Sequence, residues 1–211
     1  MRGAFAFDAD PGGWLAAVSA GALYFLGAIL IILNHPPAYL FTRQDLPGVW
    51  GLPIGLVMVG GLAGLHARHT GYPGYGPLGT TGFLLAVGGL LVVALLETLL
   101  SSAVPGGAFP FAAAVVATGM ASIVAEVGML FLWVATLRAA VLPQPWRTLP
   151  LVFFLLDIPF TTLAGGLFET VGVTALLYAQ PLLLGLGWGL LGYALFSGID
   201  AGAQRRGASA R

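Results

Sequence analysis

The chain has 211 residues, of which 58% are hydrophobic and only 8% are charged, and its mean hydropathy is +0.95. In soluble domains about a quarter of all residues are charged, so water is not the solvent for most of the surface of this protein. The formal net charge of zero removes the electrostatic case for nucleic-acid binding. The absence of cysteine and lysine excludes disulfides, thiolate metal sites and lysine Schiff bases.

Apolar runs recur along the chain, each long enough to cross about 30 Å of hydrocarbon with about 20 residues. They predict an all-α fold, a bundle of six transmembrane helices within residues 14–198. A short N-terminus at 1–13 precedes this domain and a polar tail at 199–211 follows it. The first span is predicted to be a permanent anchor, because it is longer than the apolar region of a signal peptide. The predicted spans are 14–33, 49–65, 80–102, 111–137, 149–168 and 171–196.

Glycine and proline mark the turns between the predicted spans. Pro36 and Pro37 stop the first helix, since neither ring nitrogen can donate a backbone hydrogen bond. The segment TGYPGYGPLG, at residues 70–79, predicts a tight turn between the second and third spans. Pro159 and Pro181 lie within the fifth and sixth spans, where each ring frees a carbonyl one turn earlier.

The arginines predict which loops lie in the cytoplasm. With six spans, the two termini, the second loop and the fourth loop share one side, and that side holds seven of the eight arginines. By the positive-inside rule this side is cytoplasmic, which predicts a multi-pass protein of the plasma (inner) membrane. The only arginine on the opposite side is Arg43. The seven cytoplasmic residues are Arg2, Arg68, Arg138, Arg147, Arg205, Arg206 and Arg211.

Three acidic residues, Glu97, Glu126 and Asp157, are predicted to lie within the bilayer. A charged carboxylate at mid-bilayer costs on the order of 3 kcal/mol, and no cationic residue is predicted at that depth to offset the cost. These acids are therefore expected to be protonated, to share a proton, or to bind an external cation.

Hydroxyl groups accompany two of the three acids. Thr118 and Ser122 are spaced four apart with Glu126, which places all three on one face of the fourth helix. Thr161 lies one turn after Asp157, close to the carbonyl that Pro159 frees. Such oxygen groups bind protons or hard cations in the broken helices of transporters. The alternative is that the acids are neutral and only hydrogen-bond a neighbouring helix.

A second polar group is predicted at the cytoplasmic end of the bundle, where basic side chains are candidates for contact with anionic lipid headgroups. No further metal ligand lies near its two histidines in sequence, so no metal site is predicted. His35 is predicted on the outer side and the other two histidines on the inner side, so no opposed pair at one depth is available for haem, and no cofactor is expected. No nucleophile elbow, zinc-protease motif or P-loop is present, which disfavours an enzyme. The headgroup candidates are His66, Arg68, His69, Arg138 and Arg147.

Two segments, RHTGYPGYGPLGTTGF at 68–83 and GLGWGLLGYALFSG at 185–198, resemble small uncharacterised polytopic membrane proteins of prokaryotes. The resemblance implies a helical membrane fold and no particular activity. The leading hypothesis is proton- or cation-linked transport or sensing through the intramembrane carboxylates. One alternative is a non-catalytic, structural or lipid-interacting membrane subunit. The other is an enzyme that acts on a lipid headgroup at the cytoplasmic rim. The oligomeric state is left open.

Overall fold

The computed structural model describes residues 11–34, 51–102, 111–142, 146–148, 151, 152, 155 and 182–196. Within this part of the chain every regular element is a helix, which confirms the all-α prediction at that level. The five long helices are α1 (Pro11–Asn34), α2 (Gly51–His69), α3 (Gly76–Ser102), α4 (Phe111–Ala139) and α5 (Leu182–Phe196).

Two of these helices, α3 and α4, are long and apolar enough to cross a membrane. The spanning stretches are Gly76–Leu96, with 21 residues, and Val116–Ala139, with 24. Only 28% of the first and 44% of the second lies buried within the protein, whereas an apolar core helix of a soluble protein is buried all round. Large apolar side chains on the outer faces include Leu84, Val92, Leu95, Val116, Met120 and Ile123.

The turn between α2 and α3 is shorter than the one predicted at residues 70–79, because α3 extends into it. α2 continues to His69, past the predicted end of the second span at 65, and α3 begins at Gly76 rather than at 80. Within the turn, Gly71 and Gly74 have φ of 89° and 93°, a left-handed conformation that other residues rarely adopt. Glycine at these positions lets six residues reverse the chain direction.

Adjacent helices touch through glycine backbones. A Cβ atom on Gly64 of α2 would collide with the backbone of Gly13 in α1. A Cβ atom on Gly128 of α4 would likewise collide with the backbone amide of Ala86 in α3. In a membrane, small residues at such contacts permit the close van der Waals packing that holds helices together.

α5 closes the bundle by packing against α1. A Cβ atom on Gly21 would lie 2.6 Å from the amide nitrogen of Gly189, and Gly192 faces Val18 one turn further along. Along this contact the residue numbers increase in α5 as they decrease in α1, so the two helices are antiparallel. Consequently α2, α4 and α5 all end at the same end of the bundle, where α1 and α3 begin. We call this end the arginine end, since Arg68, Arg138 and Arg147 belong to it.

Large buried side chains occupy the core of the described helices. The indole rings of Trp133 in α4 and Trp188 in α5 are fully buried. Leu62, Leu132 and Leu191 are fully buried with them. These side chains belong to one contiguous apolar core, packed to the density usual in protein interiors.

Candidate functional site

Four rings pack together under the turn between α2 and α3. His66, His69, Tyr75 and Phe83 form this group, which we call the ring cluster. The Nδ1 atom of His66 lies 2.7 Å from the hydroxyl oxygen of Tyr75. The imidazole of His66 also stacks on Phe83, with ring centroids 4.2 Å apart and planes at 9°. The centroid of the Tyr75 ring lies 5.7 Å from that of the His69 ring, so the four rings are linked by a continuous series of contacts.

Glycines position Tyr75 in the ring cluster. Gly74 lies against the end of α4, where an added Cβ atom would be 2.8 Å from the carbonyl oxygen of Arg138. Gly79, on the first turn of α3, leaves space for the tyrosine ring, since a Cβ atom there would lie 2.5 Å from its Cζ atom. Because neither glycine has a side chain, the turn can pack against α4 and the Tyr75 ring can pack against α3. The Tyr75 side chain points inward and is 2% exposed.

The hydrogen bond between Tyr75 and His66 fixes the tautomer of the imidazole. Burial raises the pKa of the Tyr75 hydroxyl above its ordinary value, so the phenol keeps its proton at neutral pH. Within the described residues, His66 Nδ1 is the one acceptor that this hydroxyl reaches. We therefore assign the O–H of Tyr75 as donor and place the proton of neutral His66 on Nε2. Burial also lowers the pKa of His66, which favours the same neutral form.

His69 is the most enclosed ionisable group of the cluster. Its side chain is fully buried, and its Nδ1–H donates to the carbonyl oxygen of Leu65 at 2.8 Å. The Nε2 atom has no hydrogen-bond partner among the described residues. Burial lowers the pKa of His69 to about 4, the bond to Leu65 opposes that shift, and the charges of Arg68 and His66 reinforce it. His69 is therefore neutral at physiological pH.

Arg68 points away from the ring cluster. It follows His66 by two residues, which is about 200° around a helix, so the two side chains leave α2 on opposite sides. The guanidinium Nη1 donates to the carbonyl oxygen of Leu195 in the last turn of α5. Burial lowers the pKa of Arg68, and Tyr72 acts in the opposite direction. A cation at helix carbonyls satisfies an acceptor and complements the helix dipole, so Arg68 caps α5.

The five predicted headgroup candidates therefore do not form one site. His69 is buried, His66 is partly covered by two rings, and Arg68 is held by α5. Arg138 is exposed at the end of α4. Arg147 is half-buried next to Trp146, whose ring contacts Tyr193 with centroids 4.4 Å apart.

Thr118, Ser122 and Glu126 form the polar face predicted for α4, and the structure places Glu126 on a partly buried side of that helix. Glu126 is partly buried, and it lies two turns before the fully buried Trp133 on the same side of α4. Thr118 is buried, and the hydroxyl of Ser122 donates to the Thr118 carbonyl oxygen at 3.0 Å. That bond occupies the serine proton and leaves the lone pairs of its oxygen as acceptors.

α3 packs on a different side of α4. A Cβ atom on Gly89 would lie 2.5 Å from the amide nitrogen of Ala125, which marks the centre of that contact. Glu126 follows Ala125 and is rotated about 100° from it. The glutamate is therefore turned away from the α3 contact and toward the side of α4 that carries Trp133.

The side chains of the other predicted site residues are not among those that the structure describes. Asp157 and Thr161 lie outside the described residues. Glu97 belongs to α3, and its side chain is outside the described part. No group of three histidines or acids suited to a metal ion occurs among the described residues.

Two members of the ring cluster, Tyr75 and Phe83, were not among the predicted site residues. A signal for them exists in the sequence, because two histidines three residues apart precede a glycine-rich turn that carries a tyrosine. Comparison of the chain with models of protein families, with curated proteins and with solved structures gave no match.

Proposed function

We propose that this is a six-span membrane protein of the plasma (inner) membrane, with both termini in the cytoplasm. The exposed apolar faces of α3 and α4 support insertion into a bilayer. α4 and α5 run in the same direction, so a six-span chain needs one return crossing between them. The predicted span at 149–168 has the length for that crossing.

The arginine end is the cytoplasmic end of this arrangement. The ends of α2 and α4 carry Arg68 and Arg138, which the distribution of arginines along the chain assigns to the cytoplasm. Trp14 packs on Phe196 there, with centroids 5.3 Å apart, and Trp146 packs on Tyr193. Aromatic rings of this kind are enriched at the level of lipid headgroups, which agrees with the same orientation.

Within that membrane protein, we propose proton- or cation-linked transport or sensing through intramembrane carboxylates. The observation that carries this proposal is the partial burial of Glu126, on the side of α4 that carries the buried Trp133. A carboxylate in hydrocarbon is costly, and acids kept in spanning helices mark ion or proton pathways. Glu126 would bind the proton or cation, with Ser122 one helical turn away and Thr118 a turn beyond Ser122. Asp157, Glu97 and Thr161 are the further candidates.

A flux assay tests this proposal. Purified protein is reconstituted into liposomes with a pH-sensitive dye inside, and proton or Na⁺ flux is followed under an imposed membrane potential. We expect flux in the wild type and a loss of tenfold or more, about 1.4 kcal/mol in barrier, in Glu126→Gln and Asp157→Asn. Glu169→Gln is the matched control, since Glu169 is predicted to be a solvated turn residue. Full flux in Glu126→Gln, or no wild-type flux above empty liposomes, would overturn the proposal.

The two alternatives receive less support from the described geometry. A headgroup enzyme at the cytoplasmic rim needs converging polar groups, but His66 and Arg68 leave α2 on opposite sides. A structural subunit would keep Glu126 neutral and hydrogen-bonded to a neighbour. In that case Glu126→Gln would preserve stability and cause no functional loss, because the amide retains a hydrogen-bond donor and acceptor.

A further inference from the structure

We infer that the arginine end is a closed cytoplasmic gate for the ion pathway proposed at Glu126, and that the last turn of α2 holds this gate shut. The inference rests on the proposed transport, because a pathway through Glu126 needs a route to the cytoplasm. The gate consists of a group of buried apolar side chains and of the hydrogen bond from Arg68 to Leu195. The bond between Tyr75 and His66 holds the same turn of α2 in place.

Buried apolar side chains lie between Glu126 and the cytoplasmic end of the bundle. On α4, Trp133 is fully buried and follows Glu126 by seven positions, about 10 Å in the direction of Arg138. Further fully buried side chains of α2, α4 and α5 lie within about two turns of the arginine end and belong to the same contiguous core. Transfer of an ion into such surroundings without water is costly, so this group blocks the pathway. We call it the apolar plug, and its members are Leu62, Leu65, Leu132, Trp133, Trp188 and Leu191.

The last turn of α2 binds two different parts of the bundle at this end. The Nη1 atom of Arg68 donates to the carbonyl oxygen of Leu195, in the last turn of α5. On the opposite side of α2, His66 lies 2.7 Å from the hydroxyl oxygen of Tyr75 and stacks on Phe83 of α3. Movement of α5 away from α2 therefore breaks the Arg68 bond, while the contacts of His66 keep the turn of α2 attached to α3.

The last turn of α5 is the part of the gate that moves. Gly192 packs against Val18 of α1, so α5 is held up to that point. Beyond it, Phe196 packs on Trp14 with centroids 5.3 Å apart, and 49% of its side chain is exposed. Helix ends open with the smallest free-energy cost, and a hydrogen bond from a charged donor raises that cost. The bond from Arg68 therefore sets how often the turn opens beside the apolar plug.

Cysteine labelling tests whether the gate is closed, because the chain itself contains no cysteine. The reporter is Ala194→Cys, since Ala194 is fully buried in α5 and directly precedes Leu195. Inside-out vesicles are treated with a charged, membrane-impermeant maleimide, which reaches only the cytoplasmic side. Arg138→Cys, at an exposed position, gives the rate of an open site. Arg43→Cys should stay unlabelled, because Arg43 is predicted on the opposite side.

We expect Ala194→Cys to react slowly in the otherwise wild-type protein and about tenfold faster when Arg68→Gln is added, since that change removes a charge-assisted hydrogen bond. Should Arg68→Gln fail to accumulate in the membrane, Tyr75→Phe is the second variant, and it should act in the same direction by loosening the turn of α2. Arg138→Gln removes the same charge without that bond and should leave the rate unchanged.

Gly128→Ala is the control for general destabilisation. Its new methyl group disturbs the contact of α4 with α3, away from the last turn of α5, and the labelling rate should stay unchanged. Acceleration equal to that of Arg68→Gln would show that labelling reports overall loosening, and would overturn the inference.

Two other results would also overturn the inference. One is labelling of Ala194→Cys at the rate of Arg138→Cys in the otherwise wild-type protein, which would show that this end is open. The other is an unchanged rate after Arg68→Gln. A protein that labels as expected but carries no ion flux would contradict the proposed transport, whereas flux with unchanged labelling would contradict the gate alone.

Discussion

The hydroxyl of Tyr75 lies 2.7 Å from Nδ1 of His66 and ties the start of α3 to the last turn of α2. Removing this hydroxyl by Tyr75→Phe leaves the Nδ1 lone pair without its donor while the ring contacts remain. We expect the free energy of unfolding to fall by about 1–2 kcal/mol, the cost of an unsatisfied, partly buried acceptor. The pKa of His66 should also rise, because the lost bond stabilised the neutral imidazole.

Titration of His66 by NMR and thermal unfolding in detergent measure both effects. Tyr193→Phe is the control, since Tyr193 is exposed and its contact with Trp146 needs only the ring. An unchanged His66 titration in Tyr75→Phe would contradict the donor assignment.

His69 makes stability depend on pH in a defined direction. The pKa of its buried imidazole is about 4, below the 6.5 of the unfolded chain, so the unfolded state binds more protons between those values. Stability is therefore complete above about pH 6.5 and decreases as the pH falls toward 4, by at most about 3 kcal/mol. Unfolding temperatures measured from pH 7.5 to 4.5 test this, since His69→Asn should flatten the dependence. An equally steep fall in His69→Asn would assign the effect to other groups.

The glycine contact between α3 and α4 predicts opposite outcomes for two substitutions in one helix. In Gly128→Ala the new methyl group meets the backbone of Ala86, and overpacking of this kind costs about 1–3 kcal/mol. In Gly119→Ala it meets no atom of the described residues within 4 Å, and stability should stay equal or rise by up to about 1 kcal/mol. The measurement is the thermal unfolding temperature of both variants and the wild type in the same detergent and buffer. Equal stability of the two proteins would show that the close approach at Gly128 is wrong.

The bond from Arg68 to Leu195 predicts a local effect on α5. Arg68→Gln removes the charged donor, so the last turn of α5 should open more often, while α3 and α4 are unaffected. Hydrogen exchange followed by mass spectrometry should show faster exchange in peptides that end near Phe196. Arg138→Gln serves as the comparison, because Arg138 has no such contact among the described residues. Identical exchange in the two variants would remove the capping role.

Much of the helical fold follows from the lengths of the apolar runs. The bounds of α1, α3 and α4 agree with the predicted spans to within a few residues. α2 continues to His69, beyond the predicted span that ends at residue 65, because His66 and His69 end the apolar run but do not end the helix. A helix ends where its backbone hydrogen bonds stop, and polar side chains on the last turn do not prevent those bonds.

The directions of the polar side chains follow from the sequence only where a single helix carries them. His66 and Arg68 were grouped by their closeness in sequence, although helix geometry alone places them on opposite sides. Tyr75 was missed because its inward direction depends on the left-handed backbone at Gly74. By contrast, the shared face of Thr118, Ser122 and Glu126 follows from spacing within a single helix.

The pairing of Gly21 with Gly189 determines the order in which the bundle can be completed during synthesis. α2, α3 and α4 each pack against the helix made just before, so these contacts can form as the ribosome delivers the chain. The contact of Gly21 must wait for α5, the last of the described helices to be made. A chain that stops before α5 would lack this contact and leave that glycine of α1 without its partner helix.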